Sequence, residues 1–98
     1  MGLFKTAAEK RIERDLEVRR GLASIKKNVK RLEKHEADYV AKARRARSLG
    51  DQDQLAFLRG TIRKTATQRR LLERQLLNLE TALQIKDHTA LAAVQPNE

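Results

Sequence analysis

From Val18 to Ala46, Val18, Leu22, Ile25, Val29, Leu32, Glu36, Tyr39, Ala43 and Ala46 recur at alternating spacings of four and three. Beyond Leu49-Gly50-Asp51 the same rhythm returns through Leu55, Leu58, Ile62, Thr65, Arg69, Leu72, Leu76, Leu79 and Leu83. Alternation of three and four marks a heptad seam between helices. Residues that should meet across the turn have numbers that sum to 101: Ala46 with Leu55, Leu22 with Leu79, Val18 with Leu83. The pattern predicts an all-α fold, a long coiled-coil-like antiparallel hairpin of two helices.

The turn between the seams carries its own signals. Gly50 suits the left-handed position after a helix, and Arg44, Arg45 and Arg47 complement the negative end of the first helix. Asp51 with Gln54 fits an N-cap and capping box for the second. The expected organisation is one domain over residues 1–98: an N-terminal basic, amphipathic segment (1–20), a first arm (21–49), a tip (50–51), a second arm (52–87) and a short helix or frayed tail (88–98). Within the seam Glu36, Thr65 and Arg69 form a polar layer, in which Arg69 is expected to reach Glu36 or Glu33. Such a layer fixes register at some cost in stability.

Ala8, Ile12 and Leu16 recur every four residues but point roughly away from the seam that starts at Val18. Either the helix breaks near Gly21, or one straight helix carries two contact faces. The seam spans roughly 43 Å at about 1.5 Å per residue, and two helices of this length bury a thin core. Leu71, Leu77, Ile85 and Val40 are left over as apolar residues for other chains to cover, so self-assembly is expected.

Charge sharpens the picture. Of 98 residues 36% are charged and 3% aromatic, with a formal net charge of +9. Through Arg47 there are 15 Lys and Arg against 7 Asp and Glu, and from Ser48 onward 7 against 6. The first arm is therefore the electropositive one, and Lys26, Lys27, Lys30, Arg31 and Lys34, with Arg19, Arg20 and Arg45, lie away from its seam. Their partner should be an anionic surface: a membrane, a nucleic acid or an acidic protein. Nucleic acid is the less favoured, because only Phe4, Tyr39 and Phe57 are available to stack on bases and Tyr39 belongs to the seam. A basic hairpin bound to nucleic acid or ribosome and a coiled-coil protein adaptor stand as alternative functions.

There is no cysteine. His35 and His88 lack metal-ligand spacing, and the carboxylates are interleaved with Arg and Lys along helices. No phosphate-cradling glycine loop or nucleophile motif appears. No enzymatic activity, metal or cofactor is expected. Apolar runs fall far short of the roughly 20 residues that span a bilayer, and no signal-peptide pattern precedes the helices, so the expected location is cytoplasmic and soluble or peripheral to membrane.

The basic first helix beginning Met1-Gly2-Leu3-Phe4, the Ala-rich run Ala41-Lys42-Ala43-Arg44-Arg45-Ala46-Arg47, the tip Leu49-Gly50-Asp51 and the returning helix from Arg69 to Leu83 together resemble the first hairpin of the ESCRT-III superfamily, which includes the phage-shock-protein-A-like membrane-remodelling proteins. The resemblance covers about residues 1 to 87 and implies staggered lateral packing into filaments, spirals or tubes that bind and reshape anionic membranes. It implies that Leu3 and Phe4 insert into the membrane. Lys26, Lys27, Lys30, Arg31 and Lys34, with Lys5, Lys10, Arg11, Arg14, Arg19 and Arg20, would contact lipid headgroups. Leu71, Leu77 and Ile85 would serve self-assembly. Family members usually continue through further helices that supply cross-subunit contacts and, in eukaryotic members, autoinhibition and motifs for an AAA+ ATPase. The expected partners are the chain itself, anionic lipid and longer relatives of that kind.

Overall fold

The structure, a computed structural model, describes residues 4–94, with side chains through Thr89. It consists of two helices, α1 (Ala7–Ser48) and α2 (Gln52–Val94), packed side by side as a hairpin. The body measures 71 × 40 × 14 Å, so in its thinnest direction it is one helix layer deep.

α1 begins where Thr6, in an extended conformation, accepts a hydrogen bond at 3.1 Å from the Glu9 N–H. Thr6 thus caps the helix, and Thr6-Ala7-Ala8-Glu9 has the residue types of a capping box. The helix then passes through Gly21 without a break. Nothing lies within 4 Å of where a Cβ on Gly21 would be, so this glycine serves no close approach. Of the two alternatives for the N-terminal segment, the structure has the unbroken helix, with Ile12 and Leu16 exposed. α2 likewise runs on as one helix to Val94, through the region expected as a separate short helix or frayed tail. Residues 95–98 of that tail lie outside the described residues.

The turn is a Schellman closure. The Asp51 N–H donates to the Ala46 carbonyl at 2.9 Å and the Gly50 N–H to the Arg47 carbonyl at 3.1 Å. Gly50 adopts φ 71°, the left-handed region that a Cβ disfavours. Asp51 then caps α2, its Oδ1 accepting from the Gln54 N–H at 3.0 Å. The reciprocal half of the predicted capping box has no donor to use, because the Asp51 N–H already belongs to Ala46.

The core follows the predicted seam. Leu22, Val29, Ala46, Leu55, Leu58, Thr65 and Ala66 are buried, and Ile25, Leu32, Tyr39, Ala43, Ile62, Leu72, Leu76 and Leu83 are half-buried. Ala46, Leu55 and Leu58 form a cluster against which Tyr39 and Ala43 pack, just above the tip. Away from the tip the seam thins, and Val18 and Leu79 remain 38% exposed. Ala66 is the buried residue that the alternating spacing did not include. Val40, read as a surface residue, is half-buried in a groove with Ala43, Leu55 and Ile62.

The polar layer is built on Arg69. Its guanidinium bonds the Glu36 carboxylate across the hairpin and Glu73 one turn along α2, at 3.1 Å to each Glu73 oxygen. By the sum rule Glu36 lies level with Thr65. A helical side chain leans toward its own N-terminus, so Arg69 reaches that level and meets Glu36; Glu33 is not its partner. The hydrogen bonds from Glu36 first, then Glu73, push the Arg69 pKa up. Thr65 donates its hydroxyl to the Thr61 carbonyl at 2.8 Å, so it does not compete for the carboxylate.

Candidate functional site

Residues seven apart drift only about 20° per heptad around a helix, so the unbroken course of α1 assigns every basic residue to a side relative to the heptad seam. Opposite the seam lie three such lines. One holds Leu16, Ala23, Lys30, Ala37 and Arg44; the next Glu13, Arg20, Lys27, Lys34, Ala41 and Ser48; the third Lys10, Glu17, Ser24, Arg31, Asp38 and Arg45. All of these residues are exposed. Eight are Lys or Arg and three are acidic, leaving the face five positive charges in excess. Near its N-terminal end stands exposed Leu16, with Ile12 at the edge and Phe4 89% exposed just ahead of the helix.

This arrangement sorts the predicted membrane-binding residues. Lys10, Arg20, Lys27, Lys30, Arg31 and Lys34 share the outer face. Arg19 and Lys26 sit on the flank beside α2, where they line a groove with Glu80 and Asp87, so carboxylates of α2 offset their charge. Arg14 occupies the opposite flank. Arg11 falls on the seam line, one turn before Asp15, and it helps Arg19 and Lys86 to hold the Asp15 carboxyl below its usual range. Lys5 pairs with Glu13. Leu3 lies outside the described residues. Arg44, expected to complement the helix end, also lies on the outer face in the heptad register, and with Arg45 it extends the basic face to the tip.

The three residues expected to serve assembly do not form one patch. Leu71 and Ile85 share one line on the outer side of α2, 57% and 62% exposed, whereas Leu77 lies on another line with Arg63 and Arg70. Phe57, one of the three aromatic residues able to stack on a base, belongs to the line of Leu71 and Ile85 and is 69% exposed. At the tip, Leu49 is exposed while Gly50 and Asp51 are committed to the turn.

Among the described residues no helix is long and apolar enough to cross a membrane. The arrangement suits a surface rather than a cleft: a continuous basic face about 50 Å long, from Lys10 to Arg45 at about 1.5 Å per residue, with apolar side chains near one end. Set against protein-family models, curated proteins and solved structures, the chain matches none of them.

Proposed function

We propose that this chain is an ESCRT-III-like structural protein whose copies assemble into filaments or tubes and lay the outer face of α1 on an anionic membrane, reshaping it as a peripheral protein of the cytoplasmic side. The observation that carries the reading is the unbroken passage of α1 through Gly21. It sets Leu16 on the same exposed face as Arg20, Lys27, Lys30 and Lys34, so apolar insertion and headgroup attraction act in one plane.

Magnitudes explain why assembly and binding belong together. A basic residue near an anionic leaflet contributes about 1 kcal/mol, so five net charges correspond to a dissociation constant on the order of 10⁻⁴ M. One copy binds weakly, and many copies joined side by side bind tightly through avidity. The thin core and the exposed Phe57, Leu71 and Ile85 support association between copies.

Negative-stain electron microscopy with and without anionic vesicles tests both halves of the reading. Filaments or tubes on or around the vesicles are expected. A chain that stays dispersed at high concentration, or one that coats RNA and leaves vesicles bare, contradicts it.

A further inference from the structure

Beside the line of Arg63, Arg70 and Leu77, α2 carries a long side that is unlike the outer face of α1. Over the three lines that pass through Phe57, Gly60 and Thr61, from Asp53 to Thr89, the charged residues are Asp53, Lys64 and Arg74 alone. Several of its hydroxyls are already satisfied: Thr61 donates to the Phe57 carbonyl at 3.0 Å, Thr67 to Arg63 at 2.9 Å and Thr89 to Ile85 at 2.9 Å. Covering these threonines therefore strands no donor, which removes the usual penalty for burying a polar face. Gly60 has open space where a Cβ would be, so an approaching backbone meets no obstacle there.

Phe57, Leu71 and Ile85 stand at equal intervals of fourteen residues, about 21 Å apart. The set is symmetric about Leu71. We infer that this face binds a second copy of the chain, α2 against α2 in antiparallel orientation, with the two-fold axis at Leu71.

In that register contacting residues have numbers that sum to 142. Leu71 meets its own copy, Phe57 meets Ile85, and Gly60 meets Ala82. Lys64 meets Asn78 and Arg74 meets Gln68, so no like charges face each other. A parallel pairing sets Lys64 against Lys64 and Arg74 against Arg74, and like charges directly opposed are destabilising. The strip is about 54 Å long and about 10 Å wide, roughly 540 Å² a side, which just passes the about 1,000 Å² in total that a specific interface needs. A chain of net charge +9 repels its copies; meeting along the less basic helix keeps the two basic α1 faces apart.

The pairing rests on the self-association in the proposed function and not on its membrane binding. Because the chain has no cysteine, single substitutions report the register directly, and circular dichroism checks that each exposed-site variant keeps its helices. Leu71→Cys should form a disulfide dimer by itself. Phe57→Cys and Ile85→Cys should cross-link when mixed and not alone. Leu71→Arg should weaken dimerisation by at least about tenfold, since two arginines then meet at the axis. Self-linked dimers of Phe57→Cys and of Ile85→Cys would overturn the antiparallel register. Association of the wild type without a Leu71→Cys dimer would overturn this interface alone, and a wild type that stays monomeric in the ultracentrifuge would overturn both the interface and assembly.

Discussion

The Lys86 ammonium donates a hydrogen bond of 2.8 Å to the Asp15 carboxylate across 71 positions of sequence. These two residues obey the same sum of 101 that pairs Ala46 with Leu55 beside the tip, so the helices keep one register along the whole hairpin. The contact lowers the Asp15 pKa, through the Lys86 hydrogen bond first and the positive charges of Lys86, Arg19 and Arg11 after it. A carboxyl whose folded pKa is depressed contributes stability above its unfolded pKa of about 4, and loses it as pH falls through the folded value. Wild type should therefore melt slightly above Asp15→Asn at neutral pH, and the gap should close under acid. Thermal melts of both chains from pH 7 downward check this; a gap that widens in acid contradicts it.

The seam near the tip should carry much of the stability. Leu58→Ala removes a buried side chain from the cluster with Ala46 and Leu55, and a loss of about 2–3 kcal/mol is expected, toward the low end for such truncations because a two-helix core can close in. Leu76→Asp, which brings a charge to the half-buried seam, should disrupt the hairpin further. Urea unfolding followed by circular dichroism measures both.

Two glycines should respond with opposite sign. Gly50→Ala forces a Cβ into a left-handed conformation and should destabilise by about 1 kcal/mol. Gly21→Ala replaces a poor helix former where nothing stands in the way, and should stabilise by up to about 1 kcal/mol. Loss of stability in Gly21→Ala would mean that a break at this position, and not the unbroken helix, describes the protein.

In the polar layer, Arg69→Ala leaves Glu36 part-buried without its partner. It should lower the melting temperature more than the double replacement Glu36→Leu with Arg69→Leu, which removes both charges and extends the apolar seam. A thermal melt of the two variants side by side decides the order.

The hairpin was legible because its signal is periodic: a seam of threes and fours, matched about one glycine, specifies helix type, direction and register together. The half-used capping box was not, since the sequence does not say that the Asp51 N–H is claimed by Ala46. Nor was the course of α1 past Gly21, because a glycine in a helix is compatible with either a break or a continuous run and only packing decides. The basic residues were legible as a group, but their division between outer face, flank and seam depended on that continuity. Arg11 and Arg14 thus looked equivalent to Lys10. Phe57 joins Leu71 and Ile85 only along a line of seven, a relation that no single residue displays.

The central claim, that the outer face of α1 binds anionic membrane, is tested most directly by co-sedimentation with vesicles across a salt series, comparing wild type with Lys27→Glu, Lys30→Glu and Lys34→Glu combined. These residues are exposed and away from the seam, so the hairpin should survive the change. Wild type should sediment with anionic vesicles, not with neutral ones, and release as salt rises, while the triple variant stays in solution at every salt concentration. Equal sedimentation of the two proteins, or binding indifferent to lipid charge and salt, would contradict the account.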